Sequence, residues 1–259
     1  MIKIQHMPRI FFIALLVSIV GFTAFVACKK NNDGGGTTSG SSTIPDVYKK
    51  IYGATDMYVD GNFIVIKTNS LPDHKSPYYQ GTAWASTKYE AYNGTNPNFV
   101  LNPNRIAQAN LTFRIPLNPA VASTHAATPL GPIGVSLNGV PFFNQYAAMG
   151  APLTNEINSF DQYYGHPQQQ GMYHYHAEPY YLTSTKGSSA LMGFLLDGFP
   201  VYGPMENGSP VTNANLDTYH GHTSATADYP NGIYHYHITT ADPYINGSGF
   251  YGTAGTVTQ

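Results

Sequence analysis

The chain has 259 residues, long enough for one sizeable core after its leader and tether, and charged residues make up only 10% of it. A net charge of −2 with no lysine/arginine cluster beyond the pairs Lys29-Lys30 and Lys49-Lys50 leaves no basic field for a phosphate backbone, which excludes nucleic acid as a partner. The 26 glycines, 19 prolines and 14% aromatic residues favour short strands and ordered loops over long helices.

In chain order, the segment from Met1 to Arg9 carries Lys3 and Arg9, and Ile10 to Phe22 is almost wholly apolar, the layout of a secretory signal peptide. It ends at Ala27-Cys28, which resembles a bacterial lipobox with Phe25 where leucine is usual. Residues 1–28 are therefore expected to be a lipoprotein signal peptide with lipidation at Cys28, an uncleaved transmembrane anchor being the alternative. Lys29 rather than aspartate follows the cysteine, so the expected location is the cell envelope, lipid-anchored to the outer membrane. Residues 29–43 are polar with a triple glycine and read as a flexible tether. Cys28 is the sole cysteine, so the domain has neither an internal disulfide nor a thiolate site.

Residues 44–259 read as a single domain. Met57 to Lys67 gives two strands across an Asp-Gly turn, and Leu111 to Leu117 a third. The Asn- and Pro-rich stretch from Leu71 to Asn104, with His74 and Trp84, reads mainly as loop. Beyond it the chain repeats itself. Gly134 to Phe143 matches Gly193 to Tyr202, each an apolar hairpin whose Asn138-Gly139 or Asp197-Gly198 suggests a type I′ turn. Asp161 to His166 matches Asp217 to His222, and Tyr173-His174-Tyr175-His176 returns as Tyr234-His235-Tyr236-His237. The related halves run over about residues 131–180 and 190–245. The expected fold is all-β, a sandwich or distorted barrel of short strands built on this duplication, with long ordered loops, little helix and a pseudo-two-fold between the halves.

Seven of the ten histidines lie between His166 and His237, and six occupy matched positions. On a strand, alternate side chains share a face, so each His-x-His presents two imidazoles together with its tyrosines behind. A third histidine from a neighbouring segment completes a three-ligand set, giving His166, His174 and His176 in one half and His222, His235 and His237 in the other. His74 and His220 are further candidates. Asp161 and Asp217 are candidates for orienting an imidazole through its second N–H, with turn capping as the alternative. All-imidazole ligation in an oxidising setting suits copper or zinc. Packing of duplicated units side by side favours a shared or closely apposed centre.

These motifs, with Leu71-Pro72-Asp73-His74 and Asn96-Pro97-Asn98, resemble the YHYH domain family from about Pro72 to Gly252. The resemblance implies the domain's extent and the importance of these residues, and no reaction. The functional expectation is an extracytoplasmic lipoprotein binding a transition metal, with or without catalysis on an unknown small-molecule substrate. A metal carrier or sensor, and a surface glycan-binding or adhesion module with structural histidines, are the alternatives.

Overall fold

The computed structural model describes residues 43–247 and 249–259. The expected signal peptide, the lipidation site at Cys28 and nearly all of the tether lie outside the described residues. None of the described helices is long and apolar enough to cross a membrane. The longest is Tyr180–Lys186, in keeping with the turn-rich composition.

Fourteen strands among the described residues form three sheets in a sandwich-like arrangement. The smaller main sheet takes β1 (Ala54–Asp60), β2 (Phe63–Thr68), β3 (Leu111–Pro116) and β14 (Thr256–Thr258), in the order β1-β2-β3-β14. In β3, Leu111, Phe113 and Ile115 are buried while the residues between them are half-exposed, so the period-2 pattern turns one face to the core. Those residues join Ile64 and Ile66 in the same apolar cluster as Val135, Phe142, Phe194 and Tyr236.

The larger sheet carries the duplication. Its strands are β4 (Pro132–Ser136), β5 (Pro141–Phe143), β6 (Gly165–Pro167), β7 (Tyr173–Tyr175), β8 (Leu191–Leu195), β9 (Pro200–Tyr202), β12 (Gly221–Ser224) and β13 (Ile233–His237). A two-stranded ribbon, β10 (Met205–Glu206) with β11 (Ser209–Pro210), stands apart. The order β12-β13-β9-β8-β4-β5-β7-β6 reads the same from either end once matched strands are exchanged, and the sheet is open rather than a closed barrel.

At its centre Gly134 pairs with Leu195, Val135 with Phe194, and Ser136 with Gly193. Because Gly134, Val135 and Ser136 match Gly193, Phe194 and Leu195 in the repeat, exchanging the halves maps this pairing onto itself. A local two-fold therefore passes between Val135 and Phe194. Close approach there needs glycine: a Cβ on Gly134 would lie 2.4 Å from the Phe194 carbonyl oxygen, and one on Gly193 would lie 2.2 Å from that of Val135.

The two hairpins at this centre form as expected, with a different turn. Gly139 N–H donates to the Ser136 carbonyl and Gly198 N–H to that of Leu195, and only the glycine of each turn has positive φ, 80° and 86°. A type I′ turn requires positive φ at both central residues, so these are three-residue loops closing on a left-handed glycine. The Asn138 and Asp197 side chains are thereby turned inward and buried.

Candidate metal centres

Each Tyr-His-Tyr-His strand is fixed from its tyrosine face. Tyr173 and Tyr234 donate their hydroxyls to Asp161 and Asp217, both at 2.9 Å. Tyr236 donates to Asp197 at 2.6 Å, and Tyr175 accepts from Asn138 at 3.1 Å. These four anchors are matched pairs of the repeat. Asp161 and Asp217 also accept from the main-chain N–H two residues on, closing the turn that leads into β6 or β12.

The opposite face gathers the histidines. His166 on β6 stands directly across from His174 on β7, and His222 on β12 across from His235 on β13. In the first cluster the Nε2 atoms of His166 and His174 are 3.1 Å apart, and those of His174 and His176 2.9 Å. In the second, His222 to His235 is 3.2 Å and His235 to His237 3.1 Å, again between Nε2 atoms. The ligand atoms of each set lie within 4.8 Å of one another, so both are groups that could hold a metal ion.

The other ring nitrogens decide what these contacts are. His174 Nδ1 lies 3.1 Å from the Met172 carbonyl, and His176 Nδ1 2.6 Å from that of Asn144. His235 Nδ1 lies 2.9 Å from the Ile233 carbonyl, and His237 Nδ1 2.9 Å from that of Gly203. A carbonyl only accepts, so each of these Nδ1 atoms carries the hydrogen. Ser159 donates its hydroxyl to the Glu156 carbonyl at 2.7 Å, so its 2.7 Å contact with His166 is made by Nδ1–H donating. A neutral imidazole with its hydrogen on Nδ1 has a bare lone pair on Nε2. Three lone pairs thus converge in the first cluster, and those of His235 and His237 face each other in the second.

Protonation does not relieve them. Burial pushes His166 down to about 3 and His176 to about 4, and holds His174 well below the ordinary value; the neighbouring imidazoles press His166 and His174 lower still. Burial likewise lowers His235 to about 4 and lowers His237, against the pull of their carbonyl partners.

Two carboxylates that the sequence did not single out stand beside the clusters. Glu156 Oε1 is 3.4 Å from His166 Nε2, and Glu206 Oε1 is 3.4 Å from His222 Nε2 and 3.9 Å from His235 Nε2. Ser224 donates to the same Glu206 oxygen at 2.7 Å. Burial raises Glu156. Desolvation acts on Glu206 too, but the Ser224 hydroxyl and the three imidazoles outweigh it and leave its pKa lowered.

Other expectations need correction. Asp161 and Asp217 orient no imidazole; they serve tyrosine hydroxyls and turns, and main-chain carbonyls with Ser159 take the Nδ1–H groups instead. His74 is buried away from both clusters, with Nδ1 on the Lys75 carbonyl and Nε2 3.3 Å from the Tyr175 hydroxyl. His220 occupies the positive-φ turn position that Tyr164 holds in the first half, and its Nε2 meets the Thr239 hydroxyl at 3.0 Å. A shared centre does not form: β7 and β13 have four strands between them in the sheet, and the ligand atoms fall into two separate groups.

The fold and its histidine faces define a class, the β protein built from two copies of a hairpin-plus-histidine-strand unit. A family model described as YHYH protein matches residues 112–212 and 205–249. The chain belongs to the YHYH family. No curated protein and no solved structure matches it.

Proposed function

We propose that the protein is an extracytoplasmic lipoprotein that binds a transition metal ion, copper or zinc, at two centres, one formed by His166, His174 and His176 and the other by His222, His235 and His237. The observation that carries this is the hydrogen-bond pattern of the imidazoles. The Nδ1–H groups of His166, His174, His176, His235 and His237 are used, their Nε2 lone pairs face one another within each cluster, and burial keeps these five neutral, so a cation is the partner that satisfies them. The spacing supports it: tetrahedral zinc with bonds of about 2.0–2.1 Å separates its nitrogens by about 3.3 Å, a few tenths more than the contacts seen. Glu206 beside the second cluster favours a divalent ion there over Cu(I), because a carboxylate is a hard donor.

A metal held by three imidazoles with an exchangeable position supplies Lewis-acid or hydroxide chemistry, and with copper oxygen chemistry. The lipid anchor at Cys28 and placement in the outer membrane are carried by the leader sequence.

The test is elemental analysis of wild type beside His174→Ala/His176→Ala and His235→Ala/His237→Ala. Wild type should hold two equivalents after loading with Cu²⁺ or Zn²⁺ and desalting. Each double variant should lose one and keep the affinity of the other centre, since separate sites add. Two equivalents retained in both variants would remove these histidines as ligands.

A further inference from the structure

The two centres share three histidines by descent from the repeat, yet their surroundings differ. In the second, the ligand atoms within 4.8 Å of one another include the Glu206 carboxylate as well as the three imidazoles. Glu206 ends β10, and the Ser224 hydroxyl on β12 fixes its Oε1 at 2.7 Å. It also lines the hollow of about 230 Å³ beside His235 and His237, so it stands on a ligand's path to the imidazoles. In the first, the mutually close atoms are the three imidazole nitrogens alone. Glu156 reaches His166 from a short 3-10 turn, and together with Phe143, Met172, His174 and His176 it lines a wider cleft of about 360 Å³.

Resting on the metal reading above, we infer that the centres have different jobs: Glu206 completes a closed four-ligand set at the second, and the first keeps a coordination position open to the cleft, where a small anionic or oxygen ligand binds. Four protein ligands in tetrahedral array saturate a structural ion, whereas three leave a position for water or substrate. The carboxylate of Glu156 on the cleft wall can then accept a hydrogen bond from a bound water.

Cobalt(II) is the probe, because its visible absorption reports coordination, and azide is the exogenous ligand. In wild type loaded with two cobalt ions, azide should change the spectrum with saturation at one azide per two metals. The His235→Ala/His237→Ala variant should respond to azide and the His174→Ala/His176→Ala variant should not. Adding Glu206→Gln to the latter should lower its cobalt affinity about tenfold or more and make it azide-responsive. Should the double variants fail to fold, the wild-type stoichiometry and the Glu206→Gln single variant, now binding two azides, decide alone. Two azides per wild-type molecule, or none on a cobalt-loaded protein, would overturn the inequality of the centres and leave metal binding intact. A chain that takes up no cobalt would overturn both.

Discussion

Replacing His176 by glutamine in the metal-free protein should change how stability depends on pH. Burial holds His176 at about 4 against an ordinary value of 6.5, the hydrogen bond to the Asn144 carbonyl opposing only part of the effect. The unfolded chain takes up the proton as pH falls below about 6.5, and the folded chain refuses it until about 4. The stability tied to this group is therefore complete above about pH 6.5 and is lost as pH falls towards 4. At about pH 5 the unfolded imidazole is favoured by RT ln(1 + 10^1.5), about 2 kcal/mol, with almost no compensation in the folded state. Glutamine does not titrate, so the variant escapes this loss. Between about pH 7.5 and pH 5 the stability difference should move by about 2 kcal/mol in the variant's favour, or about 4–8 °C in melting temperature for a domain of this size. Asp197, which burial raises to about 6, has the opposite sign, but it is common to both proteins and cancels. The assay is urea unfolding with chelator present at the two pH values, and a difference that stays constant would refute the neutral buried cluster.

The tyrosine anchors should be unequal. Tyr236→Phe strips Asp197 of a charged hydrogen bond and leaves the Tyr251 N–H, 2.7 Å from the hydroxyl, without its acceptor, at a cost of about 2–4 kcal/mol. Tyr175→Phe removes neutral contacts to Asn138 and His74 and should cost about 1–2 kcal/mol in the same denaturant titration, so the reverse order would refute the anchoring scheme. Palmitate labelling of the protein in its native membrane should give a band that Cys28→Ala abolishes; an unlabelled wild type retaining its leader would favour the transmembrane alternative.

What could be read in the sequence was what depends on local period. Alternation in Tyr-His-Tyr-His puts two imidazoles on one face whatever the strand's neighbours are, and the matched Asp-x-Tyr-x-Gly-His segments supplied the third. The carboxylates escaped because they have no common spacing: Glu156 precedes Asp161 by five residues, whereas Glu206 precedes Asp217 by eleven. Each arrives from an element outside the repeat's strict alignment, a 3-10 turn in one half and the β10 ribbon in the other. The shared centre failed for a topological reason. The halves meet through β4 and β8, the first strands of their hairpins, and this pushes the histidine strands outward on both sides. His74 and His220 looked like ligands because residue type was weighed without backbone: one is wedged among Tyr163, Tyr173 and Tyr181, and the other is a left-handed turn residue.

The divergence between the halves bears on why the histidines are there. Asn138 faces Asp197, Tyr164 faces His220, Pro167 faces Thr223 and Met172 faces Ile233 across the repeat, so anchors, turns and strand residues have been exchanged without loss of the fold. The three histidines are the same in both copies. Hydrogen bonding within the sheet does not explain this, because the Nε2 atoms of His166, His174 and His176, and likewise those of His235 and His237, make no donor–acceptor pair with one another, and the burial of these imidazoles works against the folded state at mildly acidic pH. A packing role does not explain it either, since a glutamine or phenylalanine could fill the same space without facing lone pairs. The tyrosine side of each strand, tied to Asp161 and Asn138 or to Asp217 and Asp197, holds the imidazoles at a distance from one another at which they could hold a metal ion. Such preorganisation opposes stability and would favour binding of a cation, which is the ground for the metal reading proposed above.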